Sequence, residues 1–425
     1  MCHHPRLPEV DRGTLTASLG AMSSRHAVFC VALGVATSAV AAVSLTACSS
    51  SNANNGTHGS PNGRLDGSID SAGGDGGDGG DGGLGAEDAS EESNPLTDTH
   101  WPPGANAEPL PSLTSCGAGL PPGDYDATYA AAADGGTRSW HVHVPSGYVA
   151  STPLPVLLGF HGGGQNAAGF EAMSLLRAKS DAASFILVEP EGAPALNNQA
   201  PTFPFESWNA GNCCAASATD DIDDVGFVRG ILTTLASDVC FDASRVYATG
   251  FSNGAMFSYR LACEASDIIA AIAPVSGGSG QVDIDDGGAD YFACNPTHPM
   301  PILDIHGTAD TCYPYDGGLG ALSGVIFEGV PVTVATWRER NGCDVDAAAA
   351  VASTQGEAMC EAYSCPSNGP ITLCTIPGGG HYWPGGNPWL GSTTLCPNNG
   401  ALAPTPVAND LVWGFLSGHT LGEKP

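Results

Sequence analysis

Residues 246–260 read Val-Tyr-Ala-Thr-Gly-Phe-Ser-Asn-Gly-Ala-Met-Phe-Ser-Tyr-Arg, and Gly250-Phe251-Ser252-Asn253-Gly254 at their centre is a G-x-S-x-G. Val246, Tyr247 and Thr249 precede the motif, and helix formers at apolar spacing (Ala255, Met256, Tyr259, Leu261, Ala262) follow it. The pattern therefore falls where a strand turns sharply into a helix. That turn suits nucleophilic attack: it would hold Ser252 in strained backbone geometry with the hydroxyl exposed, while the flanking glycines admit neighbouring backbone. The helix N-terminus beneath would point N–H groups at any oxyanion formed there. A serine hydroxyl is a weak nucleophile alone and needs a neutral imidazole as base, with a carboxylate to orient it.

Two residues fit those roles by their place after predicted strands. Asp310 ends His306-Gly307-Thr308-Ala309-Asp310, just beyond an apolar run at 300–305. His381 lies in Gly378-Gly379-Gly380-His381-Tyr382-Trp383-Pro384-Gly385-Gly386, just beyond a run at 371–376. Asp304 is the nearest rival acid but sits inside its strand, facing the core; His298, His306 and His419 do not follow the last predicted strand. The order Ser…Asp…His is the one α/β-hydrolases use. A tetrahedral intermediate also needs two N–H donors. Asn253 supplies one, and the loop His161-Gly162-Gly163-Gly164-Gln165 the other, through Gly163, Gly164 or Gln165.

The elements that must carry these residues alternate. Trp140-His141-Val142-His143-Val144 reads as a half-buried strand, 154–160 as a strand buried on both faces, and 168–183 as a helix. A strand at 185–188, a helix at 221–239 and, after the serine turn, a strand at 268–275 continue the pattern. A helix at 332–340 lies between the strands carrying Asp310 and His381, and a last helix is expected to start at Thr405-Pro406 as N-cap and N1 and run through Phe415. Strand–helix alternation predicts a mainly parallel sheet with helices on both faces, the α/β-hydrolase fold.

Composition bounds the partners. Residues 116–425 hold 9 Lys+Arg against 31 Asp+Glu, a charge of −22 within a chain of −31. That charge argues against nucleic acid or anionic lipid as a partner, which would need a basic patch. The same stretch holds 12 cysteines, which reads as up to six disulfides formed in an oxidising compartment. Zinc is the competing reading, and the spacings of Cys360, Cys365 and Cys374 fit it poorly. Cys213-Cys214 is either a vicinal disulfide or two cysteines with different partners. Asp220-Asp221-Ile222-Asp223-Asp224 suits a helix start, and Asp283, Asp285, Asp286 and Asp290 lack the closing Glu of a calcium loop. No metal and no cofactor are expected.

Residues 1–47 read as a secretory signal: Arg25 and His26, an apolar run at 27–43, then Leu45-Thr46-Ala47-Cys48. Met22 competes with Met1 as the start. Leu-Thr-Ala-Cys resembles the lipobox of bacterial lipoproteins, which implies a lipid on Cys48; Ser49 resembles the residue found on lipoproteins sorted to the outer membrane. Residues 48–115, rich in Gly, Ser, Asn and Asp with a triple Gly-Gly-Asp repeat, form a disordered linker, and 116–425 form the catalytic domain. The membrane would be touched only through the N-terminal lipid, and a monomer is expected.

Taken in order, His161-Gly162-Gly163-Gly164, Trp208-Asn209-Ala210-Gly211-Asn212-Cys213-Cys214, Asp223-Asp224-Val225-Gly226-Phe227, residues 245–254, Ile305-His306-Gly307-Thr308-Ala309-Asp310 and 378–386 resemble the secreted esterases that include poly(3-hydroxybutyrate) depolymerase-like proteins and single-domain feruloyl esterases. The resemblance covers most of 116–425 and implies Ser252, Asp310 and His381 as a triad. The Trp208–Cys214 segment is closer to the feruloyl esterases. The function expected is release of hydroxycinnamates from plant cell-wall xylan, with Trp208, Tyr382 and Trp383 lining the acyl pocket or packing in the core. Hydroxyalkanoate cleavage by the same machinery is the alternative, and a non-catalytic polysaccharide-binding lipoprotein is the alternative of another class.

Overall fold

A computed structural model describes residues 119–131, 136–194, 206–211, 213–279, 292, 294–321, 323–389 and 395–422. The expected signal peptide, Cys48, the linker and the acidic residues Asp283, Asp285, Asp286 and Asp290 lie outside them. Ten strands make one sheet. In chain order these are β1 (Gly123–Ala131), β2 (Gly136–Val144), β3 (Leu154–Phe160), β4 (Ile186–Pro190), β5 (Phe241–Phe251), β6 (Ala271–Val275), β7 (Ile302–Gly307), β10 (Ala350–Gln355), β11 (Ala358–Ala362) and β12 (Ile371–Ile376). Strands β8 (Gly318–Leu319) and β9 (Ile326–Phe327) pair separately. The sheet order is β1-β2-β4-β3-β5-β6-β7-β12-β11-β10. The six strands from β4 to β12 in that order run parallel, and antiparallel strands extend both edges. This is the mainly parallel α/β-hydrolase sheet that the sequence predicts.

The central strands are apolar on both faces because helices cover both. On β3, Val156, Leu158 and Phe160 join one core, and Leu157 joins the other. The first core includes the helices α4 (Asp224–Asp238), α5 (Asn253–Glu264) and α6 (Val330–Arg340), through Phe227, Ile231, Phe257, Val334 and Trp337. The second is closed by α1 (Ala167–Ser174), α2 (Leu176–Ala183) and α7 (Ala408–Leu416), through Phe170, Leu176, Leu411 and Val412. A short α3 (Ala215–Thr219) follows the Cys213-Cys214 pair. Among the described residues, no helix is long and apolar enough to cross a membrane.

Three local expectations are corrected. The single helix at 168–183 is two, broken at Leu175, whose left-handed backbone (φ 60°) ends α1 while its N–H still bonds Glu171 O. The last helix does not start at Thr405-Pro406: α7 begins at Ala408 behind an extended Val407, and Thr405 packs instead against the turn at Gly356, its carbonyl accepting from Glu357 N. The helix expected at 221–239 begins at Asp224, capped by Asp223, whose carboxylate accepts from Gly226 N at 2.8 Å.

The described cysteines are disulfides, not zinc ligands: Cys213–Cys214, Cys263–Cys294, Cys312–Cys396, Cys343–Cys365 and Cys360–Cys374 are bonded, and Cys240 is disulfide-bonded as well. A buried ion pair ties β2 to α4: Arg138 Nη2 lies 2.8 Å from Asp224 Oδ1, with Asp224 wholly buried. Oδ2 of the same carboxylate accepts from Asn209 N at 2.6 Å. Replacing Arg138 by Leu leaves that carboxylate buried without its cation, so denaturant unfolding should show a loss of about 3–5 kcal/mol.

Candidate active site

β5 ends at Phe251, and Ser252 then sits at φ 55°, ψ −117° before α5 begins at Asn253. A positive φ costs a non-glycine residue energy and persists only where the surroundings fix it. Here Ser252 N–H donates to Val275 O on β6 at 3.0 Å, and Ser252 O accepts from Met256 N at 3.0 Å. Gly254 lets the helix reach the neighbouring strand: a Cβ there would lie 2.2 Å from Phe160 O. The strand–turn–helix context predicted for the motif is thus present.

Parallel pairing of β5, β6, β7 and β12 brings the loops after these strands to one edge of the sheet. Asp310 and His381 meet there, His381 Nδ1 lying 2.7 Å from Asp310 Oδ2 with both side chains buried. Their loops are fused by backbone: Thr308 N bonds Ile376 O, Ala309 N bonds Gly379 O, and Gly400 N bonds Ala309 O. The approach is so close that a Cβ on Gly307 would lie 2.3 Å from Gly379 O. Asp310 Oδ1 accepts from Cys312 N and Tyr313 N, both at 2.8 Å. Burial alone would raise its pKa, but His381 and His306 beside it bring the carboxyl down to about 2. His381 N donates to Asn399 Oδ1, and its ring lies 4.7 Å from that of Phe251, the residue before Ser252.

The Gly-rich loop leaves one amide for a ligand. Gly164 N donates to Glu206 O at 2.8 Å and Gln165 N to Gly162 O at 3.0 Å. Among the described residues Gly163 N–H has no hydrogen-bond partner, and Gly163 lines a cavity of about 290 Å³ together with Ser252 and Asn253. His161 is structural. Its Nε2 accepts from Gly192 N at 2.8 Å and its Nδ1 lies 2.8 Å from Gly162 O, which places the proton on Nδ1. Burial depresses its pKa to about 4, keeping the ring neutral.

Of the two places open to Trp208, Tyr382 and Trp383, pocket or core, the core holds all three. Trp208 is fully buried, stacked on Phe257 with centroids 5.2 Å apart, and its Nε1 donates to His161 O. Asn253 holds it from below: Trp208 N donates to Asn253 Oδ1 at 2.8 Å, and Asn253 Nδ2 to Trp208 O at 3.1 Å. Trp383 is buried against Phe170 and donates from Nε1 to Asn409 Oδ1, while Tyr382 is buried with its carbonyl accepting from Ser276 Oγ. These three brace the site instead of lining it. The cavity is lined as well by Met256, Tyr313, Val325, Phe327 and the Cys213–Cys214 pair. Met256, four residues past Ser252 on a helix, could have been found from spacing; residues 323 to 327 lie in and just before the two-residue strand β9, whose sequence gives no such signal.

Sheet order, serine elbow and the histidine–carboxylate pair at the carboxyl edge define an α/β-hydrolase. No family model matches the chain. It is 33% identical to feruloyl esterase B of Piromyces equi over 56% of this chain and 42% of that one. It is 31% identical to NocK of Nocardia uniformis subsp. tsuyamanensis, designated an esterase, over 59% and 72%. It is 29% identical to feruloyl esterase C of Emericella nidulans over 57% and 76%. The chain thus spans less than half of the Piromyces protein and about three quarters of the other two. It belongs to the esterase family to which these proteins belong.

His161, Glu191 and Glu206 cluster behind the Gly-rich loop. Burial first, and Glu191 second, raise Glu206 to about 7. A carboxyl whose pKa is raised on folding binds more protons in the native state between about 4.5 and 7, so its ionisation lowers stability across that window and not below it. Glu206→Gln should therefore leave thermal unfolding unchanged at pH 4 and raise the midpoint at pH 8 by roughly 1–3 °C.

Proposed function

We propose that this chain is an exported serine carboxylesterase acting on hydroxycinnamate esters of plant cell-wall polysaccharide. The observation that carries the reading is the buried Asp310–His381 pair beside a strained serine that opens onto an apolar cavity. Ser252 Oγ attacks the ester carbonyl as His381 Nε2 takes its proton, and Asp310 holds Nδ1–H and stabilises the imidazolium. The Gly163 and Asn253 amides receive the oxyanion. Collapse of the tetrahedral intermediate breaks the C–O bond to the alcohol, which leaves with the proton from His381. Water, deprotonated by the same ring, then releases the acid and restores Ser252. Met256 and Phe327 offer thioether and aromatic surface suited to a phenyl ring, and the relatives' designation as feruloyl esterases points to the same acyl group.

The test is hydrolysis of methyl ferulate, p-nitrophenyl butyrate and a hydroxybutyrate trimer by wild type and Ser252→Ala. Wild type should turn over methyl ferulate, and the variant should lose at least ~10³-fold in kcat. Preference for the trimer would move the substrate to hydroxyalkanoates; undiminished turnover by Ser252→Ala would overturn the mechanism.

Export is supported by the disulfides, which persist in oxidising compartments. We assign Cys48 as the lipidated residue and 48–115 as the tether of a monomeric catalytic domain. In a bacterial expression host, labelled palmitate should be incorporated into the wild-type chain and not into Cys48→Ala.

A further inference from the structure

Asp310 faces a second imidazole that the triad does not use. On β7, Asp304 and His306 project from one face, and both side chains are fully buried. His306 Nε2 lies 2.9 Å from Tyr313 O and 3.3 Å from Asp310 Oδ2, the same oxygen that His381 Nδ1 meets at 2.7 Å. A carbonyl and a carboxylate can only accept, so His306 Nε2 carries a hydrogen directed between them. The four groups around Asp310 thus divide evenly: two backbone amides take Oδ1 and two imidazoles take Oδ2.

We propose that His306 is a positioning residue of the triad: it fixes the Asp310 carboxylate toward His381 and, by its own charge, offsets part of that carboxylate's negative field. The proposal rests on the triad reading above. His306 cannot touch substrate, since it is buried behind Asp310 and does not line the cavity. It can act only through the carboxylate.

The charges around His306 decide the direction of the effect. Asp304 and Asp310 face it, His381 lies across Asp310, and Tyr259, Tyr313 and Tyr315 surround the cluster, with Glu328 farther out. Tyr259 donates to Asp304 Oδ2 at 2.6 Å. Burial, and nearby carboxylates after it, push the hydroxyls of Tyr259 and Tyr313 well above the ordinary phenol range, so both stay neutral. Burial opposes a charge on His306, but Asp310 and Asp304 outweigh it and raise its pKa. Burial likewise raises Asp304, to about 6, against the lowering effect of His306 and Tyr259. An imidazolium at His306 offsets part of Asp310's negative field at His381. Without it, the acid limb of kcat/KM moves to higher pH.

Two variants separate charge from hydrogen bond. His306→Gln keeps an N–H donor near the Nε2 position and removes the cation. Its acid limb should rise by about 0.5 pH unit or more, with the plateau kcat within about threefold of wild type. His306→Leu removes donor and charge together; kcat should fall about tenfold or more with KM unchanged, because only the proton-transfer geometry is lost. An acid limb in His306→Gln that coincides with wild type overturns the proposal, as does full kcat in His306→Leu. Near-UV circular dichroism establishes that each variant is folded, and His306→Gln decides the matter if His306→Leu is not. Ser252→Ala runs in the same assay: if it retains turnover the triad reading fails, whereas an inactive Ser252→Ala beside an unshifted His306→Gln removes only the role given to His306.

Discussion

The hydrogen bond from His381 Nδ1 to Asp310 Oδ2 is made out of contact with water, and the carboxyl edge of the sheet is shaped by the need to make it there. A carboxylate is costly to bury unless its oxygens are filled. Asp310 meets that requirement with the amides of Cys312 and Tyr313 and the rings of His306 and His381. Bringing His381 to it demands that the loops after β7 and β12 touch through backbone, so the contact falls at Gly307 and Gly379, where no Cβ stands between. Burial, glycine placement and strand order are thus consequences of one charge that has to be both enclosed and held.

The serine side depends on a different interaction. The amide side chain of Asn253 makes the two hydrogen bonds of a strand pair with Trp208, and Trp208 ties back to His161. One residue therefore lines the cavity while its side chain is bonded in the core, coupling the elbow to the Gly-rich loop. The chain from Arg138 through Asp224 to Asn209 extends the coupling to β2. A site assembled from three separate loops is rigid because each loop is bonded to a neighbour that is itself buried.

The parts legible in the sequence were those set by local spacing. The elbow shows because its glycines and its strand and helix flanks are contiguous, and Asp310 and His381 show because each follows an apolar run. Trp208, Tyr382 and Trp383 were ambiguous because an aromatic side chain next to a motif reads the same whether it faces a ligand or the core; Asn253 and Asn409, which bond the two tryptophans, settle it only in three dimensions. The break at Leu175 has neither Gly nor Pro to announce it. β10 is not legible because Ala350–Gln355 is almost wholly exposed and lacks alternating apolar residues. The place of His306 behind Asp310 is a matter of which way β7 faces, and sequence position alone made it a rival base.

The Cys312–Cys396 bond joins the loop of Asp310 to the segment that receives His381, since Asn399 accepts from His381 N and Ala401 from Gly380 N. Acid and base loops are thereby clamped into one covalently closed jaw, and the loop-entropy model assigns such an 84-residue closure on the order of 4 kcal/mol. Val325 and Phe327, which also line the cavity, lie at β9, which pairs only with β8, and each of these strands has two residues. This strand pair and the jaw are coupled: Ala321 N bonds Thr311 O, and Phe327 stacks on Tyr313, whose N–H donates to Asp310 Oδ1, so a change at Phe327 is felt at the buried carboxylate.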